Sequence, residues 1–211
     1  MLVYHFVSKE YALKNIVNNQ LKIATINELN DPYEFYVGFG NSGQLFDEEI
    51  SVNIQEHYSN IMGFLCFSKN WKNPVLWSHY ADKHEGICME FDIPDRFLKK
   101  IEYKRELTII DASDNDWRTN FAQATLAKYE HWSYEEEYRI PVQLNSHQVL
   151  RENGRYFMPF SDEMALRRIF LGSRCKLIET DEQNLKQRQI PIIYTCLSRN
   201  FYSVIEKEQL A

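Results

Sequence analysis

Short apolar runs alternate with polar, turn-forming stretches along the whole chain, and this pattern predicts a sheet with interleaved helices. Runs of five to eight mostly apolar residues bounded by turn residues are typical of buried strands, and three of them lie at 2–6, 62–68 and 86–93. Shorter runs predict further strands, at 21–23, around 101–103, and at 156–160, 168–172, 190–194 and 202–205. Because strands and helices follow one another without βαβ regularity, we expect an α+β fold with residues 1–211 forming a single domain.

Helices are predicted where apolar residues recur every three or four positions. Ser8 can cap a helix whose apolar stripe contains Ala12 and Ile16. Further helices are expected at 47–60, at 74–82 with Pro74 in the first turn, from Ser113 or Asp116 to about 130, and at 180–189. The segment Thr25–Glu28 has the pattern of a capping box, and the Asn30–Glu34 segment that follows has the pattern of a turn.

The segment Trp132–Ile140 combines strand-forming aromatic residues with three consecutive glutamates. Read as a strand, it places Glu135, Glu137 and Arg139 on one face and Glu136 on the other. Carboxylates are depleted in strands and repel one another there. Two interpretations therefore stay open from these residues alone: a solvated edge strand protected from aggregation, or a working site.

Composition narrows the class of protein. The chain has 211 residues, of which 44% are hydrophobic and 14% aromatic, so it can bury a core. A net charge of −6 argues against a protein that coats duplex DNA, which needs a basic field. The densest basic cluster, formed by Arg167, Arg168, Arg174 and Lys176, is interpreted as an ordinary solvated loop.

Cysteine spacing and the start of the chain suggest where the protein resides. The four cysteines are far apart and form no CxxC pair, which suits a reducing cytoplasm. No signal-peptide pattern and no apolar run long enough for a membrane span is evident. We therefore expect a cytoplasmic protein without a membrane partner; the sequence does not indicate an oligomeric state.

Standard motifs for metal binding and catalysis do not fit this sequence. His79 and His84 are five residues apart, which does not fit a helical metal-ligand pair, and no phosphate-binding glycine loop or GxSxG elbow is present. We expect no metal site. What remains is a polar set on predicted strands and one helix, containing His5, Ser68 and Tyr80 together with Glu137. Taken singly, these residues also fit a core histidine, a polar strand end and an amphipathic helix position.

Four segments together resemble the bacterial family known as domain of unknown function 2971. These segments are LNDPYE at 29–34, LWSHYA at 76–81, GICMEF at 86–91 and WSYEEEYR at 132–139. They span most of the chain. The family name carries no function.

A more distant resemblance is to ADP-ribosyltransferases of the His-Tyr-Glu type. Three features match the layout of that family. The first strand carries Tyr4-His5. A helix with Tyr80 lies between an apolar strand that follows Gly63 and one that begins at Gly86, and the Glu135–Tyr138 run comes last. The glycine that commonly follows the histidine is Phe6 here, and Tyr80 lies further along than in a compact version. The resemblance implies a split, mixed or antiparallel sheet flanked by helices, with NAD as the substrate.

The same resemblance implies roles for individual residues. His5 would donate a hydrogen bond to ribose hydroxyls, with Tyr4 and Ser68 beside it, and Tyr80 would stack on nicotinamide. Glu137 would stabilise the oxocarbenium-like state, and Glu135 would orient or deprotonate the acceptor. Arg139 would either pair with a carboxylate or bind the pyrophosphate. Catalytic groups must reach one substrate, so we expect these side chains to converge on one cleft.

Two other classes of function stay open. The cleft could bind a nucleotide or a partner without turnover, in which case NAD would stabilise the fold but would not be consumed. Alternatively, the same carboxylates could serve a hydrolase, either an NAD glycohydrolase or a metal-dependent nuclease. The acceptor of a transferase, whether protein, nucleic acid or small molecule, cannot be read from the residues. For a bacterial transferase, the resemblance suggests a setting in toxin action or antiphage defence.

Overall fold

A computed structural model describes residues 1–35, 38–39, 48–110 and 117–207. The helices are α1 (Lys9–Asn18), α2 (Glu48–Ser59), α3 (Pro74–Tyr80), α4 (Trp117–Ala124) and α5 (Glu179–Gln187). The strands are β1 (Leu2–Val7), β2 (Gln20–Thr25), β3 (Gly38–Phe39), β4 (Met62–Ser68), β5 (Ile87–Asp92), β6 (Lys99–Lys100), β7 (Glu102–Lys104), β8 (Ile109–Ile110), β9 (Ala127–Tyr129), β10 (Glu137–Gln143), β11 (Leu150–Glu152), β12 (Arg155–Pro159), β13 (Ala165–Leu171), β14 (Ile192–Leu197) and β15 (Val204–Glu206). The α+β class is confirmed.

Most of these strands belong to one largely antiparallel sheet. Its main order is β11-β12-β2-β4-β1-β5-β13-β14-β15, and β10 with β6 adds to β4 from the other side. The β13–β14 pair is parallel. Two short parallel pairs, β3–β8 and β7–β9, lie outside this sheet. The long apolar strands pair in its centre, where residues such as Val3, Leu65 and Met89 are buried in one hydrophobic cluster.

Strand β4 divides the sheet into two arms: β2, β12 and β11 form one, and β1, β5, β13, β14 and β15 form the other. One of its edges pairs with β10 from Met62 to Ser68. The opposite edge is shared, because β2 pairs with Gly63 and Phe64 at its start, whereas β1 pairs with Ser68 at its end. The carbonyl of Cys66 lies between these two pairings. It accepts a hydrogen bond of 2.9 Å from the ring Nδ1 of His5, so a side chain takes the place of a ladder bond where the sheet divides.

The acidic segment is not a strand over its whole length, and this expectation was wrong. Residues Glu130–Glu135 form a 3-10 helix, Glu136 adopts the left-handed conformation with φ 46°, and β10 begins only at Glu137. Three adjacent carboxylates would repel one another along a ladder, and the left-handed turn separates them. The alternation holds for Glu137 and Arg139, which are both buried. The alternative of a solvated edge strand is also wrong here, since β10 pairs with β4 and with β6.

The helix expected from Ser113 or Asp116 to about 130 is much shorter than predicted. Its expected start lies outside the described residues, and α4 ends at Ala124. The chain then becomes extended, and β9 pairs in parallel with β7. A hydrogen bond of 2.8 Å from the Glu102 N–H to the Leu126 carbonyl leads into that pairing. The pairing partner, which is distant in the sequence, therefore overrides the local helical pattern.

Candidate functional site

Side chains from both arms of the sheet and from α3 converge on a cavity of about 190 Å³. The residues to which the resemblance gives a role all line this cavity: Tyr4, His5, Ser68, Tyr80, Glu135, Glu137 and Arg139. We call it the central cavity. Asn30 and Lys128 line it too. These side chains therefore converge on one cleft, as expected.

His5 lies where the two arms separate. A carbonyl oxygen can only accept, so the hydrogen bond to Cys66 requires the proton on Nδ1. Burial lowers the pKa of His5, partly offset by that bond, which favours the neutral ring. In this tautomer Nε2 carries a lone pair and is able to accept a hydrogen bond. With Nδ1 bound to Cys66, the ring nitrogen of His5 that remains for a ligand is an acceptor, whereas the resemblance implied a donor.

Tyr80 is held by its hydroxyl rather than left free. The hydroxyl accepts a hydrogen bond of 2.7 Å from Asn30 Nδ2 and donates to Glu135 Oε1 in a very short contact. Burial, followed by the charge of Glu135, raises the pKa of Tyr80 well above its usual value, so the phenol stays protonated. The ring of Tyr80 is half-buried at the wall of the central cavity.

Five charged side chains form a buried network beside the cavity. They are Glu34, Lys128, Glu135, Glu137 and Arg139, and each side chain is between 1% and 7% exposed. Lys128 Nζ lies 2.7 Å from Glu135, 3.1 Å from Glu34 and 3.5 Å from Glu137. Arg139 pairs with Glu34 as well. Charges this deeply buried require partners, and here every member has at least one.

The two glutamates differ in how far their charge is compensated. Glu137 accepts two hydrogen bonds from Arg139, of 2.6 and 2.9 Å. Burial raises the pKa of the Glu137 carboxyl, but the charge and hydrogen bonds of Arg139, together with Lys128, outweigh burial and hold that pKa below its usual range. For Glu135 the balance is reversed: burial outweighs Lys128 and Tyr80, and the pKa is raised. Glu135 is therefore the less compensated carboxylate.

The remaining residues expected at the site are committed to partners within the protein. Arg139 pairs with Glu137 and Glu34, which is the first of the two roles expected for it, and its Nη1 is buried without a hydrogen-bond partner among the described residues. The Ser68 hydroxyl donates to the Asn70 carbonyl and accepts from the Asn70 N–H, which closes the turn after β4. Burial and the neighbouring Glu90 raise the pKa of Tyr4 to about 12, and its hydroxyl hydrogen-bonds to Glu90.

Sequence reasoning missed three members of the site. Asn30 and Glu34 lie in the turn after β2, where their side chains were interpreted only as turn formers, and Lys128 was assigned to a helix. One indication for Lys128 was present in the sequence: if the run Leu126-Ala127-Lys128-Tyr129 is a strand, the Lys128 side chain lies on the face opposite to its two neighbours. A buried lysine needs carboxylate partners, and that run does not show which carboxylates these are.

Neither a metal site nor a membrane span is found in the part of the chain that the structure describes. Within the described residues, no three His, Cys, Asp or Glu side chains are grouped so that they could hold a metal ion. His84 contacts the Ser78 and Ser173 hydroxyls instead. Over the same residues, no helix is long and apolar enough to cross a membrane.

Comparisons with protein-family models, with curated proteins and with solved structures found no match for this chain.

Proposed function

We propose that the central cavity binds the nicotinamide riboside part of NAD and that the protein transfers ADP-ribose to an acceptor. The observation that carries this proposal is the convergence of His5 from β1, Tyr80 from α3 and the Glu135–Glu137 pair on one cavity. That set matches the His-Tyr-Glu layout that the sequence resembles. The divided sheet is consistent with an ADP-ribosyltransferase-like fold, which we propose together with the activity.

Charge supports the same substrate. In the buried network of the described residues, three carboxylates face two cations, which leaves one negative charge in excess. A water-poor site with an excess negative charge favours a positively charged ligand or transition state. The nicotinamide ring of NAD is cationic, and positive charge passes to the ribose carbon as the bond between them breaks. The resemblance implied Glu137 for this role. Because Arg139 compensates the charge of Glu137, we assign the developing charge to Glu135 instead, the less compensated carboxylate.

The space available also fits a dinucleotide. At about 190 Å³, the central cavity is smaller than the roughly 300–1,000 Å³ of sites that enclose a whole ligand. A second cavity of about 490 Å³ adjoins it, and His5, Ala24 and Glu28 line both. Lys14, Lys22 and Arg155 line this second cavity. Because Lys14 and Lys22 are ion-paired with Glu10 and Glu28, we assign the attraction of phosphate charge to Arg155. The nicotinamide end would occupy the first cavity and the remainder of NAD the second.

The reaction needs no group beyond NAD and the acceptor. The bond between the ribose C1′ and the nicotinamide nitrogen breaks, and nicotinamide leaves as a neutral molecule with the bonding electron pair. The acceptor forms a new bond to C1′ and loses its proton to Glu135 or to water. Tyr80 presents its ring to nicotinamide, and the neutral His5 accepts a hydrogen bond from a ribose hydroxyl at Nε2. Glu137, bound by Arg139, adds negative potential.

The test is to incubate the purified protein with NAD labelled in its adenylate part, in the presence of a bacterial lysate, and to measure both label transfer and nicotinamide release. Glu135→Gln is expected to reduce release by about 10²-fold, the usual loss on removing one group that stabilises developing charge. Tyr80→Ala should also reduce release, because it removes the ring presented to nicotinamide and a hydrogen bond to Glu135. Glu136→Gln is the matched control. Its carboxylate lies between the two site glutamates in the sequence, but it is exposed and accepts a hydrogen bond from Asn70 instead.

The outcomes separate the alternatives. Release without label transfer, in the presence or absence of lysate, would indicate an NAD glycohydrolase, in which water is the acceptor. A thermal shift with NAD and no release would indicate a binding module. Nucleic-acid cleavage that chelation abolishes would indicate a metal-dependent nuclease. If NAD gives neither release nor a thermal shift, the proposal fails.

A further inference from the structure

Lys128 contacts all three carboxylates of the buried network, although it belongs to none of the motifs considered above. Its ammonium contacts three carboxylates and lies 3.3 Å from the Asn30 side-chain oxygen, and it also lies over the Trp132 ring at 4.9 Å. The ammonium group is almost fully buried. Burial lowers the pKa of Lys128, but the three glutamates outweigh burial and raise it, so the side chain stays charged.

Glu135 depends on Lys128 more than the other two carboxylates do. Glu34 and Glu137 each have a second cation in Arg139. Within the described residues, Lys128 is the only cation within 4 Å of Glu135. Tyr80 supplies the other hydrogen bond to that carboxylate. The position and the ionisation of Glu135 are therefore set by one lysine and one phenol.

We propose that Lys128 is a positioning residue that keeps Glu135 ionised and directed at Tyr80. Glu34 opposes this effect, because it also pairs with the Lys128 ammonium and so weakens the attraction between that ammonium and Glu135. This inference rests on the proposed function, because it assigns Glu135 as the carboxylate that faces the reacting carbon. It extends that function to residues on β9 and in the turn after β2, which contact Glu135 or its lysine.

The charge balance at Glu135 includes groups from every element that packs against it. Lys128 on β9 attracts the carboxylate's negative charge. Glu137 on β10 repels that charge, and Glu34 competes for Lys128. Arg139 on β10 is occupied by Glu34 and Glu137. The three tyrosines that interact with Glu135 electrostatically remain neutral because their pKa values are raised: Tyr80 on α3, Tyr103 on β7 and Tyr134 in the 3-10 helix.

This balance predicts shifts of opposite sign for two substitutions. Lys128→Met removes the attracting charge, so protonation of Glu135 should move to higher pH, by about one pH unit or more. Glu34→Gln removes a competitor for Lys128 and a nearby negative charge, so protonation should move to lower pH. General damage to the fold would not produce opposite shifts. Lys128→Arg keeps the charge and should leave the protonation of Glu135 near its original pH.

The experiment measures Glu135 in two ways. The first is a pH titration of the Glu135 carboxyl carbon by NMR in the protein without NAD, assigned by its loss in Glu135→Gln. The second is the acid limb of the pH profile of nicotinamide release. Lys69→Met, which removes an exposed lysine bonded to the Leu2 carbonyl, is the control and should move neither reading. Circular dichroism establishes that each variant is folded.

Opposite shifts in both readings support the proposal. If Glu34→Gln moves the titration upward or leaves it unchanged, the proposal is overturned, even where Lys128→Met does not fold. If the NMR titrations shift as expected but no variant releases nicotinamide, the charge balance holds and the proposed function fails. If nicotinamide is released with unshifted profiles, the proposed function holds and this inference fails.

Discussion

Substitution of Arg139 by methionine should destabilise the protein strongly at neutral pH. Arg139 is 1% exposed and is the bidentate partner of Glu137 as well as an ion-pair partner of Glu34. Methionine fills a similar volume without charge, so the main effect is to leave three buried carboxylates, Glu34, Glu135 and Glu137, sharing Lys128 as their one remaining cation in the network. Removing one partner of a buried ion pair costs about 3–5 kcal/mol of unfolding free energy. We expect a loss in that range at pH 7.5.

The loss should depend on pH in a defined direction. In the native protein the pKa of Glu137 is held below its usual range, so its contribution to stability is present above about pH 4.3, its unfolded value, and disappears as pH falls through the lower folded value. In Arg139→Met the Glu137 carboxyl loses the partner that lowers its pKa most and keeps only the weaker effect of Lys128, so burial raises that pKa. Protonation then relieves the unpaired charge. The difference in stability between the two proteins should therefore be full at pH 7–8 and should narrow below about pH 5.

Urea unfolding followed by tryptophan fluorescence at pH 7.5 and pH 4.5 measures both quantities. Arg167→Met is the matched control, because Arg167 is about half exposed and pairs with Asp92 at 3.0 Å on the surface. Surface pairs of that kind contribute about 0–1 kcal/mol. A loss of less than about 1 kcal/mol for Arg139→Met at pH 7.5 would refute the reasoning, and so would a loss that does not change between the two pH values.

Two further predictions concern the divided sheet. His5→Phe leaves the Cys66 carbonyl without its hydrogen bond, which should lower the unfolding free energy by about 1 kcal/mol and the thermal midpoint by about 2–4 °C. His5→Asn retains a donor and should lose less stability. Equal midpoints for His5→Phe and the native protein would contradict this prediction. Gly63→Ala places a methyl group 2.8 Å from the Ala24 carbonyl oxygen and closer still to Ile23, where the β2 backbone cannot yield without weakening its pairing with β4. Urea unfolding should show a loss of about 1–3 kcal/mol, and an unchanged midpoint would contradict the close approach.

The elements that sequence patterns predicted well are those in which local chemistry decides. β4 and β5 are apolar runs ended by polar residues, and the structure has them at Met62–Ser68 and Ile87–Asp92. The Thr25–Glu28 capping box is also confirmed: the Glu28 carboxylate accepts the Thr25 N–H at 3.0 Å. In these cases the interaction that fixes the conformation lies within a few residues of the position concerned.

What could not be predicted depends on partners far along the chain. The sheet divides at Cys66 because β1 and β2 take different parts of one edge of β4, and no local pattern records that sharing. Lys128 is buried because β9 pairs with β7 and brings it to carboxylates on two other segments. The convergence on the cavity was anticipated through a resemblance. The charge network that distinguishes Glu135 from Glu137 was not.

The origin of the five network residues has a consequence for how the protein folds. Glu34 lies in the first sixth of the chain, whereas Lys128 and Arg139 come about a hundred residues later. During synthesis the early carboxylate must therefore remain solvated, without its cations, until β9 and β10 have left the ribosome and paired. Contacts of such long range form late in folding. A partly made chain would hold His5 and Tyr80 but no charge balance, so whatever activity the cavity has should be silent until the fold is nearly complete.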